Sequence, residues 1–213
     1  TLLRAVAGLT DISSGEISFS NEDVPGDPCL ALAFQEHGLF PWMTVQQNVE
    51  FALGDRNGAD ADRQQRAREF VEQVGLGRFA SLFPSQLSRG MRQRVNIARA
   101  FARDPRLLLL DEPFAWLDAQ SRRVLQEELV ELWSRQRITV MLVTHDIEEA
   151  ILLADRVLLM SGSPGRILEE IRVDLPRPRD LGAWESAEVR EIRAHLWQAL
   201  SSDTRRRLAI PGE

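Results

Sequence analysis

Leu107-Leu108-Leu109-Leu110 runs directly into Asp111-Glu112-Pro113. A stretch of leucines with no polar alternation has no face to give to water, so as a strand it must be covered on both sides, as inside a parallel sheet. The carboxyl ends of such strands form the edge where ligands bind, and this strand delivers two carboxylates to it. A second apolar stretch over 138–143 ends in the same way, at Thr144-His145. Parallel strands need long crossover connections, so the pair predicts an α/β fold.

The rest of the chain fits that frame. Apolar spacing predicts a short helix over 1–9 and strands over 15–19 and 30–34, with a turn-rich loop at 21–28 between the strands. From 44 to 103 the patterns are helical only, over 45–53, 62–74 and 88–103, which reads as an all-helical insertion. Strand 107–110, helix 119–135, strand 138–143, helix 146–153 and strand 156–160 then alternate, predicting a parallel sheet with helices on both faces. One more strand is expected at 165–171. Pro176-Arg177-Pro178 reads as a linker and 186–200 as a C-terminal helix. With 213 residues, 44% of them hydrophobic, the chain suits one domain with an inserted subdomain. The single cysteine, Cys29, cannot form an internal disulfide and reads as a small buried residue. A net charge of −6 argues against a general nucleic-acid binder. No apolar run approaches the ~20 residues needed to span a bilayer, so membrane association has to run through a partner.

Several residues could carry chemistry. Ser88 is a good N-cap, and Gly90 in the first turn leaves the backbone amides uncovered, which makes a phosphate-binding helix start. Asp111 can hold Mg²⁺ through water, and Glu112 can polarise an attacking water. His145 at a strand end can reach a phosphate, and Gln35, ending strand 30–34, can bond a metal-bound water or a γ-phosphate oxygen. His37 and His195 read as structural. Taken singly, each feature has a plain alternative: a capped surface helix with solvated arginines, an acidic pair opening a loop, a satisfied histidine. Their order in one chain is what points to nucleotide hydrolysis.

That order resembles the ABC-type ATPases, from Thr1 to about Met160. The resemblance implies a P-loop NTPase-type parallel sheet core at 1–35 and 105–172, a helical subdomain at 36–104, and a C-terminal linker and helix at 173–213. It makes Gln35 the Q-loop glutamine, which couples Mg²⁺ and the attacking water to the membrane partner. Leu87-Ser88-Arg89-Gly90-Met91 is similar to the signature motif, whose Ser88 and Gly90 contact ATP held by the opposite subunit. Leu107 to Glu112 resembles Walker B, with Asp111 on the metal and Glu112 as general base. Ala115-Trp116-Leu117-Asp118 resembles the D-loop, His145 the switch histidine, and residues 36–42 the neighbourhood of a permease's coupling helix. Thr1 looks like the residue just after the metal-binding hydroxyl of a phosphate loop, near the α-phosphate. ATP and Mg²⁺ are the implied cofactors. The implied partners are a second ATPase subunit in a homodimer, a transmembrane permease and, indirectly, a periplasmic substrate-binding protein, at the cytoplasmic face of the inner membrane.

The chain departs from the family pattern in places. Arg89 stands where the signature usually has glycine, and Met91 where it has glutamine, which removes an amide able to bond nucleotide. All 26 basic residues are arginine, so the phosphate-loop lysine has no counterpart. The chain is therefore expected to be truncated after that loop, inactive by itself and poorly folded. The resemblance places the missing strand beside both 107–110 and 138–143. Phe40-Pro41-Trp42-Met43-Thr44-Val45, Pro164-Gly165-Arg166-Ile167 and Asp174-Leu175-Pro176-Arg177-Pro178-Arg179-Asp180 resemble the nitrate, sulfonate and taurine importers. A non-catalytic remnant and a soluble ABC-type ATPase of DNA repair or translation remain open alternatives.

Overall fold

The computed structural model describes residues 1–19, 30–34, 38–54, 60–177, 179 and 186–209, with the backbone alone for 203–209. The expected loop at 21–28, Cys29, Gln35, Glu36, His37 and Pro178 lie outside the described residues. The chain divides into two compact units, Thr1–Val143 and Thr144–Glu213.

The first unit contains helix α1 (Leu2–Val6), strand β1 (Leu30–Ala33), helices α2 (Val45–Leu53), α3 (Asp60–Gln73) and α4 (Arg89–Ala102), strand β2 (Leu107–Asp111), helix α5 (Ala119–Gln136) and strand β3 (Thr139–Val143). The three strands form a parallel sheet in the order β1-β2-β3. In register, Leu30 faces Leu107 across the first pair, and Leu107 faces Thr139 across the second. β2 has a neighbour on each side, and its Leu108, Leu109 and Leu110 are fully buried, as an unbroken leucine run requires. β2 and β3 pair directly, so the expectation of another strand between them is wrong: their own backbone ladder occupies that space. The expected strand over 15–19 is also absent. Its residues are exposed, and without a partner ladder an alternating segment leaves its amides to water.

The helical insertion is as expected, with α2, α3 and α4 between β1 and β2. Thr44 opens α2 with a capping box: Gln47 N–H donates to Thr44 Oγ1 at 3.2 Å, and Thr44 N–H donates to Gln47 Oε1 at 2.9 Å. α4 packs on β1, and its Val95, Ile97, Ala98 and Phe101 are buried.

The second unit contains α6 (Ile147–Leu153), β4 (Arg156–Met160), β5 (Ile167–Arg172) and α7 (Ala187–Ala209). Here the strands depart from expectation: β4 and β5 form an antiparallel pair of their own. Six residues separate them, enough for a hairpin but too few for a parallel crossover. Their inner face packs with α6 and α7 around Ile151, Leu159, Val173, Val189 and Leu196. Arg179 seals this unit, donating to the carbonyls of Ile151, Leu152, Ala154, Val173 and Leu175. His195 sits with Nε2 2.9 Å from Glu169 Oε2.

Candidate active site

β2 brings Asp111 level with Val143, the last residue of β3. Glu112 then donates its N–H to the Val143 carbonyl at 2.9 Å, with the backbone at φ 44°. A left-handed glutamate costs on the order of 1–3 kcal/mol and persists only where the surroundings over-determine it. The fully buried Phe114 anchors the next turn, and Leu117 N–H donates to its carbonyl at 3.3 Å. The chain reaches Asp118, whose Oδ1 accepts from Ser121 N–H at 2.9 Å and caps α5. Hydrogen bonds from Ser121, backbone first and then side chain, hold the Asp118 carboxyl below the usual carboxylate range.

The start of α4 lies against this same loop. Ser88 caps the helix as expected, with Oγ accepting from Met91 N–H at 3.2 Å. Helix geometry leaves the Arg89 and Gly90 amides without an intrahelical acceptor. A Cβ on Gly90 would sit 3.4 Å from Leu117 Cδ2, so the helix start and the loop before Asp118 touch. Ser88, Trp116 and Asp118 are exposed around that contact. Thus Ser88, Gly90, Asp111, Glu112 and Asp118 share the first unit and are joined through β2 and the turn that follows it. Thr1 stands at the N-cap position of α1 in the same unit, with no capping bond from its side chain, and is exposed.

His145 belongs to the second unit, where it is exposed just ahead of α6. Asp146 caps that helix, its Oδ1 accepting from Glu148 N–H at 2.8 Å and Glu149 N–H at 3.3 Å. Gln35 lies outside the described residues, but its flanks are held. Asn96 Nδ2 donates to the Phe34 carbonyl at 3.2 Å, and Arg99 Nη1 to the Gly38 carbonyl at 2.7 Å. Sequence reasoning allowed solvated arginines on this helix and gave Asn96 no role. The signal that could have found them is Asn96, a polar residue flanked by Val95 and Ile97 in a helix that buries all three. Burial pulls the pKa of Arg99 down from its ordinary value.

Comparison with known proteins decides the family. The ABC transporter family model matches residues 1–115. The chain belongs to that family. It is 45% identical over 204 residues to the aliphatic sulfonates import ATP-binding protein SsuB 1 of Xanthomonas axonopodis pv. citri, covering 95% of this chain and 81% of the relative. It is 43% identical over 177 residues to the nitrate import ATP-binding protein NrtD of Synechocystis, covering 83% and 66%. Among solved structures it resembles the dimeric, post-hydrolysis ATP-binding cassette MJ0796 bound to ADP and Pi. That match has TM-score 0.70 and 30% identity, over 82% of this chain and 80% of that one. ABC ATP-binding proteins are ATPases, and the parallel sheet with its helical insertion is the P-loop NTPase-type core of such a cassette. Among the described residues, no helix of this ABC ATPase chain is long and apolar enough to cross a membrane.

Proposed function

We propose that this chain is the energy-coupling ATPase subunit of a bacterial importer for nitrate-, sulfonate- or taurine-type anions. It works as a homodimer on a transmembrane permease at the cytoplasmic face of the inner membrane, and meets a periplasmic substrate-binding protein only through that permease. The observation that supports the chemistry most directly is Glu112, a left-handed glutamate tied to the end of β3 beside Asp111. Glu112 takes the proton of the attacking water, Asp111 and Gln35 serve the metal, and His145 contacts the γ-phosphate. Thr1 lies by the α-phosphate. Ser88 and Gly90 receive the phosphates of ATP held by the other subunit, with Asp118 across the same contact.

The donor set suits Mg²⁺. Among the described residues, no group of three or more His, Cys, Asp or Glu could hold a metal ion. Mg²⁺ takes one or two carboxylates and completes its shell with water and nucleotide phosphates, which Asp111 satisfies. Bound there, the ion neutralises phosphate charge. Residues 36–104 serve as the helical subdomain between the core segments 1–35 and 105–172, with 173–213 as linker and terminal helix. For the permease, an exposed aromatic cluster supports a docking role: the Phe40 ring lies 5.5 Å from Trp42 and 4.7 Å from Phe51. The cargo follows from the relatives alone, because a cytoplasmic ATPase makes no contact with it.

Glu112→Gln in the natural protein tests this reading. ATP binding should be retained while hydrolysis falls by about 10²–10⁴-fold. Unchanged turnover would remove Glu112 from the mechanism.

A further inference from the structure

The Thr144 hydroxyl stands in the middle of a directional chain of hydrogen bonds around His145. Asp146 N–H donates to Thr144 Oγ1 at 3.0 Å, and that hydroxyl donates to Glu149 Oε2 at 2.6 Å. A hydroxyl has one proton to give, so donation to Glu149 leaves its lone pairs facing the Asp146 amide. Both residues that flank His145 are thereby fixed to one point on α6. Thr144 is β-branched and holds few χ1 rotamers, which stiffens the turn further.

Glu149 is the unexpected member. It is 5% exposed, and Asp146 alone already caps α6. A buried carboxylate is costly unless it is bonded, whereas an apolar side chain would fill the same place without desolvation. Helix formation therefore does not explain a glutamate at this position.

We propose that Thr144 and Glu149 are positioning residues that hold the His145 backbone, and so its imidazole, in one presentation toward phosphate. This rests on the reading of His145 as the γ-phosphate contact. The arrangement parallels the outer partners that orient metal-bound histidines, whose loss costs about 10–100-fold in activity.

Thr144→Val keeps shape and removes both hydrogen bonds; Glu149→Met keeps volume and removes the acceptor. In the natural protein each should lower kcat by about 10–100-fold, with KM for MgATP nearly unchanged; Tm should hold in Glu149→Met, whereas Thr144→Val, which takes a donor from the buried Glu149 carboxylate, should lower it. Thr144→Ser and Glu149→Gln retain a hydroxyl and an oxygen acceptor, and should keep most of the rate. In a His145→Ala background neither Thr144→Val nor Glu149→Met should slow turnover further. Persistence of their effects in that background, or a fall in the Tm of Glu149→Met that accounts for its loss of turnover, overturns the proposal. Loss of turnover in His145→Ala alone, with Thr144→Val and Glu149→Met at the wild-type rate, overturns the positioning role and leaves the His145 reading standing. Unchanged turnover in His145→Ala overturns both.

Discussion

A methyl group added at Gly90 would meet Leu117 Cδ2 at 3.4 Å, ordinary van der Waals contact, and the backbone there is not left-handed. The fold has no need of glycine at this position, and glycine inside a helix costs about 1 kcal/mol relative to alanine. What alanine would cover is the first-turn amide surface proposed above to receive phosphate. Gly90→Ala should therefore leave Tm unchanged or higher while lowering MgATP turnover. A parallel loss of Tm and activity would assign Gly90 to folding instead. Glu112 shows the opposite relation, a residue kept in a costly conformation at the place where the chemistry is proposed. Its residue type could be read from the sequence beside Asp111, but its φ could not, because a left-handed turn arises from the bond to Val143 on a strand remote in sequence.

At the scale of elements, α6 ends in two arginines from the same segment. Arg177 Nη2 donates to the Leu153 carbonyl at 2.6 Å and to Asp155 Oδ1 at 2.7 Å, and the 8% exposed Arg179 reaches five carbonyls. Arg177 and Arg179 thus fasten α6 to the β4–β5 hairpin region of their own unit. Part of the pattern that resembles one branch of importers therefore does structural work. Arg179→Met should destabilise the second unit by about 3 kcal/mol or more, since each buried carbonyl left unpaired costs ~1–3. Arg179→Lys should not rescue it, because one ammonium cannot span carbonyls at both ends of a guanidinium. Urea unfolding followed by hydrogen exchange of α6 would check both. Between α4 and α5, Arg94 Nη1 lies 3.2 Å from Glu128 Oε1. Burial nonetheless raises the Glu128 pKa above its ordinary 4.5, with Arg94 opposing and Glu131 reinforcing the shift. A carboxyl raised on folding binds more protons in the native state, so its contribution falls as pH rises from the unfolded pKa through the folded one. The stability of the wild type relative to Glu128→Gln should thus decline as pH rises above 4.5. Urea midpoints across that window that run parallel would remove Glu128 as the cause.

On the scale of the whole molecule, the features left facing outward bear on partners. Trp42 and Phe51 are 68% and 58% exposed, and the loop that carries Phe40 and Trp42 is held from behind by Asn48. Asn48 Oδ1 accepts from Phe40 N–H at 2.8 Å, and its Nδ2 donates to the carbonyls of Phe40, Met43 and Thr44. The aromatics are thus presented on a rigid base. Trp42→Ser with Phe51→Ser should abolish co-purification with the permease while shifting stability by no more than about 0.5 kcal/mol each, as for surface sites. Retained co-purification would move the docking surface elsewhere.

The helices between β1 and β2, the buried β2 strand, the Ser88 cap and the placement of Asp111, Glu112 and His145 at strand ends were all readable from the sequence. Each follows from local rules: apolar period, capping chemistry, and the placement of polar residues at strand ends. Strand partnership was not readable. The six residues between β4 and β5 are a hairpin signal that the alternating strand–helix pattern masked, and the register of that pair and the core beneath it came only from packing. The same holds for Asn96, Arg99, Arg179 and Glu149, polar residues with partners up to 62, 61, 28 and 5 positions away. A side chain's hydrogen-bonding capacity belongs to its residue type, but its partner is chosen by packing, which no local pattern specifies.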